Sequence, residues 1–71
     1  LEHFQQYDSA VVHFTRAIEA LPYYHQAFYN RGLAYESLDN LTQAELDYRE
    51  ALSYQSDFTS AALALQRVLD R

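Results

Sequence analysis

The feature that most constrains the fold of this chain is its similarity to itself after a shift of 34 residues. The shift places residues 7–21 over residues 41–55, so that small residues meet small ones and large apolar residues meet large apolar ones. The matched pairs are Ala10 with Ala44, Val12 with Leu46, Phe14 with Tyr48, Ala17 with Ala51, and Ile18 with Leu52. A period of this length predicts repeated supersecondary units that pack on their neighbours.

The apolar residues within each copy have the spacing of an α-helix. The two copies of one stripe are Ala10, Phe14, Ala17, Ile18 and Leu21, and Ala44, Tyr48, Ala51 and Leu52. A second kind of stripe consists of Phe28, Gly32, Tyr35 and Leu38, and of Phe58, Ala62, Leu65 and Leu69. We therefore predict no strands and four helices, near residues 8–20, 25–38, 42–54 and 58–70, with a helical stub at 1–4. The predicted fold class is all-α, with helix–turn–helix repeats of 34 residues stacked as a short α-solenoid.

Residues that favour turns and helix caps separate the stripes. Pro22 ends the first helix, and residues 38–40 form a tight helix–helix turn. The predicted N-caps are Asp8 for the first helix, Thr42 with Glu45 as a capping box for the third, and Ser56 or Asp57 for the last.

The middle copy combines an aromatic residue, a glycine and a tyrosine in one helix with small and aromatic residues in the next. It contains Phe28-x-x-Arg31-Gly32-x-x-Tyr35, then Ala44-x-x-x-Tyr48 and Ala51, and the first copy contains Ala10-x-x-x-Phe14, Ala17 and Pro22. With the period, these residues make the chain resemble the tetratricopeptide repeat family. The resemblance implies a fragment of a longer repeat protein, with the end of one repeat at 1–24, a complete repeat at 25–58, and the first or capping helix of the next at 59–71.

Three residues depart from the family pattern. Arg31 replaces an aliphatic residue, Ser56 replaces a proline, and Gln66 replaces the glycine of the last helix. The resemblance also explains why the only glycine, Gly32, lies inside a helix, where it costs roughly 1 kcal/mol relative to alanine. In this family the glycine marks the contact between the two helices of a repeat, so we expect Gly32 to face Ala44 and its neighbours.

The aromatic residues divide into core and surface. We expect those on the stripes to be in the core, namely Phe14, Phe28, Tyr35, Tyr48 and Phe58. Tyr29 follows the stripe residue Phe28, so its side chain should point away from the stripe. Tyr23 and Tyr54 lie near helix boundaries and should be at least partly exposed. Exposed tyrosines suit an interface because they offer a large contact area at little cost in entropy.

Composition excludes several classes of function. Ten acidic and five basic residues give a net charge of −5, which opposes binding to nucleic acid or an anionic membrane. The chain has no cysteine, no signal-peptide pattern and no apolar run near the ~20 residues of a membrane helix. These absences favour the cytoplasm. We also expect a piece of a longer protein, because the chain begins without methionine inside a helical pattern.

The sequence offers no recognisable catalytic, metal or cofactor site. The three histidines, His3, His13 and His25, lack the i, i+4 spacing of a helical metal site. The carboxylates of Glu45, Asp47 and Glu50 are expected on a solvated helix face. We therefore predict a protein that is not an enzyme and needs no cofactor.

The resemblance implies that the first helix of each repeat lines a concave face that binds a protein or peptide. The residues expected on this face are Gln26, Tyr29, Asn30, Leu33, Ser37, Ser60, Leu63, Ala64 and Arg67. Asn30 matches one asparagine of the family's clamp for a terminal carboxylate, but Ser60 and Ala64 occupy the basic positions of that clamp, which disfavours this ligand. The alternative is a self-association module, which would form a homo-oligomer through open repeat ends or by helix exchange at Asp39-Asn40.

Overall fold

The computed structural model describes the backbone of residues 2–71 and the side chains of residues 5–71. The described part contains no strand and four helices, α1 (Glu2–Ala20), α2 (His25–Ser37), α3 (Leu41–Tyr54) and α4 (Thr59–Leu69). Consecutive helices pack together, and α2 also contacts α4. The predicted all-α class of helix–turn–helix repeats is confirmed.

The 34-residue period of the sequence is also a period of the structure. Helices α1 and α3 end at Ala20 and Tyr54, which are 34 residues apart, and α2 and α4 begin at His25 and Thr59, with the same separation. The four residues between α1 and α2 form the same kind of turn as the four residues between α3 and α4. Equivalent positions in the two halves can therefore be compared residue by residue.

The predicted stub and first helix are one continuous helix. Leu1 lies outside the described residues, but α1 runs without a break from Glu2, so the prediction that Asp8 caps a helix beginning near Ser9 is wrong. No proline or glycine occurs within α1, and a helix-interior Asp or Ser costs less than 1 kcal/mol. The helical backbone hydrogen bonds therefore continue through Asp8 and Ser9, although these residue types are common at helix caps.

Two further cap predictions are corrected by the structure. Helix α3 begins at Leu41, and its N-cap is Asn40, whose Oδ1 accepts a hydrogen bond from the Gln43 backbone N–H at 3.5 Å. The predicted capping box of Thr42 and Glu45 is therefore wrong, because both residues lie inside the helix. The N-cap position of α4 is Phe58, with no side-chain cap bond, and the Asp57 carboxylate accepts from the Gln55 amide instead; Ser56 is not a cap either.

A Schellman motif ends α2 and forms the tight turn before α3. Asn40 N–H donates to the Tyr35 carbonyl and Asp39 N–H donates to the Glu36 carbonyl, at 2.8 and 2.9 Å. Asp39 has a φ of 60°, the left-handed conformation in which glycine is usual. The turn predicted at residues 38–40 is present, and it makes α2 and α3 antiparallel.

Two small clusters of buried side chains form the core. The first consists of Ala44, Tyr48, Ala64 and Val68, and the second of Phe28, Ala51 and Ala61. Tyr29 packs against both clusters. Of the predicted core aromatics, Phe28 and Tyr48 are buried, while the other three, Phe14, Tyr35 and Phe58, are only half-buried. Leu21 is exposed although it belongs to a predicted stripe, because it lies beyond the end of α1.

Gly32 lies where α2 crosses α3. A β-carbon added to it would lie 2.6 Å from Cε1 and 2.8 Å from Cδ1 of Tyr48, distances that real side chains do not adopt. The nearest side chain is thus the ring of Tyr48, one helical turn beyond the expected Ala44. The missing side chain of the glycine makes room for a tyrosine ring that is fully buried.

Candidate protein-interaction face

A partly buried ion pair joins helices α1, α2 and α3. Arg31 donates from Nε and Nη2 to the two oxygens of Asp47, both at 2.8 Å, and from Nη1 to Thr15 Oγ1 at 3.1 Å. Asp47 is only 2% exposed, so its expected place on a solvated face is wrong. The hydrogen bond to Asp47 raises the pKa of Arg31, although burial acts in the opposite direction.

The sequence contained a signal for this pair. Asp47 lies between Ala44, Tyr48 and Ala51, at i+3 of an apolar stripe, and a charge at such a position has to find a partner when the stripe is buried. Arg31 is the oppositely charged residue on the facing stripe of α2, and its guanidinium lies 5.6 Å from the ring centre of Phe28. The departure from the family's aliphatic residue at position 31 is thereby explained.

A second polar cluster joins the C-terminal ends of α2 and α4. The Glu36 carboxylate accepts two hydrogen bonds from Arg67 at 2.7 Å and one from the Tyr48 hydroxyl at 2.8 Å. Arg71 lies 3.4 Å from the same carboxylate. The bond from Arg67 lowers the pKa of Glu36 against the effect of burial, while burial and Glu36 together raise the pKa of Tyr48.

An open groove of about 260 Å³ lies between α1 and α2. We call it the α1–α2 groove, and it is lined by Tyr7, Ala10, Phe14, Asn30, Leu33, Ala34 and Ser37. Most of these side chains are apolar, while Asn30 and Ser37 supply hydrogen-bonding groups on the α2 side. Of the residues that line the groove, sequence reasoning placed only Asn30, Leu33 and Ser37 on a binding face. Tyr7 and Ala34 were missed, and Ala10 and Phe14 were expected only as structural repeat positions.

The residues predicted on the concave face have different surroundings in the structure. Asn30, Leu33 and Ser37 line the groove, whereas Tyr29 is half-buried between the rings of Tyr48 and Phe58, at 5.9 and 5.0 Å. The groove residue Ser37 is exposed, and so are Gln26, Ser60, Leu63 and Arg67.

Ala64 is a correction to the predicted face. It belongs to the first core cluster and is buried, because it packs against α3 and not toward solvent. The remaining structural repeat positions, Ala17, Pro22, Ala44 and Ala51, lie respectively on α1, in the turn before α2, and on the buried side of α3. They shape the face only through helix packing.

The described residues were also compared with the requirements of a metal site and of a membrane-spanning helix. Among the described residues, no three His, Cys, Asp or Glu side chains come together in a group that could hold a metal ion. The side chain of His3 lies outside the described part. No helix in the described chain is long and apolar enough to cross a membrane.

A family model of the tetratricopeptide repeat matches residues 25–58, which contain α2 and α3. Residues 25–58 of this chain therefore form a tetratricopeptide repeat. Tetratricopeptide repeats are generally protein–protein interaction modules and are not typically enzymes. No curated protein and no solved structure matches the chain significantly. The assignment of residues 1–24 and 59–71 to neighbouring repeats stays a prediction.

Proposed function

We propose that this tetratricopeptide repeat chain is a scaffold module that binds a protein or peptide through the α1–α2 groove and the exposed side of α4. The observation that carries the proposal is the groove itself, an open apolar cleft with polar groups on one wall. Binding sites for protein and peptide segments commonly combine an apolar cleft with a few groups that orient the ligand.

The side chains at the groove suit a polypeptide ligand. Tyr7 and Phe14 offer aromatic surface, and Asn30 can both donate to and accept from a backbone. On α4, Leu63 is 60% exposed and can extend an apolar contact beyond α2. The net charge of −5 supports a protein partner over nucleic acid or an anionic membrane.

The charges on the face disfavour a terminal carboxylate as the ligand. Arg67 is the one predicted face residue with a positive charge, and its Nε and Nη2 both donate to the Glu36 carboxylate. A ligand carboxylate would have to displace Glu36, which is also held by Tyr48. The partner is therefore bound mainly through apolar contacts and amide groups.

Two substitutions with one matched control test the binding face. The probes are peptides selected from a displayed random library for binding to the 71-residue chain. The Kd of each peptide for the chain is measured by fluorescence anisotropy. Asn30→Ala and Leu63→Asp should each weaken binding about tenfold or more, as interface anchors do. Leu46→Asp should not, since Leu46 is comparably exposed (52%) but lies on α3.

Unchanged far-UV circular dichroism in all variants shows that the fold is intact. Selected peptides that bind both face variants as tightly as the parent, or that are lost equally with Leu46→Asp, would contradict this binding face.

Self-association is the second candidate function. Leu69 is exposed on α4 and Leu65 is only partly buried, so α4 presents an apolar side that no helix of the described chain covers. A second copy could cover it, as occurs at interfaces of small helical proteins. The cytoplasmic location stays a prediction from the sequence.

A further inference from the structure

The turn between α1 and α2 and the turn between α3 and α4 carry exposed apolar side chains at one end of the molecule. Leu21, Tyr23 and Tyr54 are 46, 66 and 45% exposed. Because α1 and α3 both run antiparallel to α2, they end at the same end of the molecule. Ile18 and Phe58, which flank the two turns, pack against the same core cluster. We call the surface formed by the three exposed side chains and two nearby carboxylates the turn edge: Glu19, Leu21, Tyr23, Tyr54 and Asp57.

The exposure of the turn edge does not depend on what precedes or follows the 71 residues. Leu21 and Tyr23 are equivalent by the period to Gln55 and Asp57, which are exposed although α1, α2 and the turn between them precede them in the stack. Tyr54 is equivalent to Ala20, which is exposed although α2, α3 and α4 follow it in the stack. Neighbouring repeats pack against the sides of helices, whereas the turn edge lies at helix ends.

Tyr24 does not belong to this surface, although it is also exposed. Its equivalent is Phe58, whose ring lies 5.4 and 5.0 Å from the rings of His25 and Tyr29 on the preceding helix α2. A residue at this position is therefore covered where a helix precedes it in the stack.

The turn edge is acidic. Residues 17–30 and 51–66 contain no lysine or arginine, and their carboxylates are Glu19 and Asp57, which are both exposed. The fifth arginine, Arg16, lies about one helical turn before Glu19, and the other four form ion pairs with carboxylates outside these segments, namely Glu36, Asp39, Glu45 and Asp47.

Glu19 lies where a carboxylate disfavours the helix. It is in the last turn of α1, which has no basic residue, and the helix dipole there favours a cation over an anion. A positive group from outside the helix would remove this unfavourable interaction. The position of Glu19 therefore points to a cationic ligand.

Exposed tyrosine rings beside carboxylates suit the guanidinium group of arginine. The planar guanidinium stacks on an aromatic ring and can donate two parallel hydrogen bonds to a carboxylate. The same combination occurs inside this chain, where the Arg31 guanidinium lies 5.6 and 5.8 Å from the ring centres of Phe28 and Tyr35 and donates to Asp47.

The turn presents Tyr23 on a fixed backbone. Pro22 restricts the backbone before Tyr23, and the Tyr24 N–H donates to the Leu21 carbonyl at 3.0 Å across the turn. Tyr54 is held in a similar way, because its ring lies 5.8 Å from the ring of Phe28. Groups that are already ordered lose less entropy when a ligand binds.

We propose that the turn edge binds an arginine-containing segment of a protein partner, with guanidinium groups stacked on Tyr23 and Tyr54 and paired with Glu19 and Asp57. The inference goes beyond the proposed function, because the turn edge shares no residue with the α1–α2 groove or with the exposed side of α4. A second copy of this chain suits the turn edge less well than another protein, since only Arg16 is outside the ion pairs described above.

Two labelled octapeptides test the chemistry of the ligand against the 71-residue chain. One alternates arginine with glycine, and the other has citrulline, the uncharged isostere of arginine, at the same positions. The Kd of each peptide is measured by fluorescence anisotropy at physiological ionic strength, where attraction between distant charges is screened. The arginine peptide should bind at least about tenfold more tightly, because citrulline removes both the cation–π contact and the ion pair.

A double variant tests the two rings without changing the net charge. Tyr23→Ser/Tyr54→Ser should weaken binding of the arginine peptide about tenfold or more. The control is Leu46→Ser/Leu63→Ser, which removes side chains of similar exposure, 52 and 60%, from outside the turn edge and should leave the Kd unchanged.

A second pair of variants separates the turn edge from the net charge of the chain. Glu19→Gln/Asp57→Asn should weaken binding of the arginine peptide about tenfold. Asp8→Asn/Asp70→Asn removes the same charge from two other exposed sites and should change the Kd by less than about twofold. Circular dichroism of all four double variants verifies that the chain remains helical.

Each result decides one part of the proposal. Equal binding of the arginine and citrulline peptides would overturn the cationic ligand, and equal losses in the two carboxylate variants would overturn the turn edge as its site. Full binding by Tyr23→Ser/Tyr54→Ser would overturn the stacking on tyrosine. A peptide-free dimer that this tyrosine variant dissociates in sedimentation would overturn the partner protein in favour of a second copy. The proposed function is tested separately, because its variants at Asn30 and Leu63 lie outside the turn edge.

Discussion

Single residues decide how closely the helices of this repeat approach. Gly32 and Tyr48 form a complementary pair in which one residue lacks the volume that the other fills. The Tyr48 hydroxyl is held by Glu36 at 2.8 Å, so the ring cannot swing aside to admit another atom. The helix-propensity cost of the glycine, roughly 1 kcal/mol, is therefore offset by burial of a complete tyrosine side chain.

The pair predicts that Gly32→Ala destabilises the protein although alanine favours helix. The added β-carbon meets the Tyr48 ring, and overpacking of this kind costs about 1–3 kcal/mol, measured as a loss of unfolding free energy in urea. In a Tyr48→Leu background the same substitution should be neutral or stabilising, because the ring is gone. A lower stability of Gly32→Ala in both backgrounds would show that the ring is not the obstacle.

The Arg31–Asp47 pair gives a second prediction at this scale. Arg31→Leu leaves the buried Asp47 carboxylate without a counter-charge and should cost roughly 3 kcal/mol in thermal or urea unfolding. The double variant Arg31→Leu/Asp47→Leu should recover much of this loss, since no buried charge remains. A single variant as stable as the parent would mean that water already reaches the Asp47 carboxylate.

At the scale of helices, α2 is the element on which the others depend. It contacts α1, α3 and α4. Its charged residues Arg31 and Glu36 form ion pairs with α3 and α4, respectively. The Glu36 cluster adds hydrogen bonds between α2 and α4, across 31 residues of sequence, to the apolar contacts of the core. The orientation of these two helices on the proposed binding face depends on a carboxylate that has to be ionised.

Acidification should weaken the contact between α2 and α4, because Glu36 stabilises it as a carboxylate. The pKa of Glu36 is lowered below its usual 4.5 in the folded chain, so its contribution is fully present above that value and disappears as the pH falls through the lower folded pKa. Glu36→Gln should lower the unfolding free energy by roughly 1–2 kcal/mol at pH 7, and this difference from the parent should shrink on acidification.

The matched control for this prediction is Glu50→Gln, because Glu50 is exposed on α3. Its unfolding free energy should differ little from that of the parent at pH 7. A Glu36→Gln difference that is constant from pH 7 to pH 3 would show that the ionised carboxylate does not stabilise the α2–α4 contact.

The turn between α2 and α3 carries strain that can be removed. Asp39 has a φ of 60°, which costs a non-glycine residue about 1 kcal/mol. Its ionic contact among the described residues is a 3.4 Å approach of Arg71 at an exposed site. Asp39→Gly should therefore raise the melting temperature, with a gain of up to about 1 kcal/mol, because surface ion pairs contribute little. Asp39→Ala should not, since alanine keeps the same strain, and a gain from alanine would contradict this explanation.

The whole molecule has a thin core in two clusters and apolar surface at α4. A chain of this size buries only about 60% of the surface that its unfolded form exposes, less than a larger domain does, so its stability is a few kcal/mol and further burial of apolar surface matters. Leu69 is exposed on the last helix, and Leu65 is covered only in part. Association of two chains through α4 would supply the missing burial.

We therefore predict that the 71-residue chain forms at least a dimer at micromolar concentration. Its melting temperature should rise with protein concentration, because folding and association are then linked by mass action. Leu69→Arg should abolish the rise, while Leu46→Arg on α3 should not. A monomer in sedimentation equilibrium with a concentration-independent melt would refute the dimer and leave the groove proposal untouched.

The sequence by itself determined the all-α class, the 34-residue period, and the turns at Pro22 and at residues 38–40. The helices and turns follow from local rules, since helical spacing and turn residues act within a few positions of the chain. Only the tertiary structure decided that Asp47 is buried, that α1 continues through Asp8, and that Ala10 and Phe14 line the groove. Asp47 is stable inside because Arg31 meets it from another helix, 16 residues away, and no local pattern contains that distance.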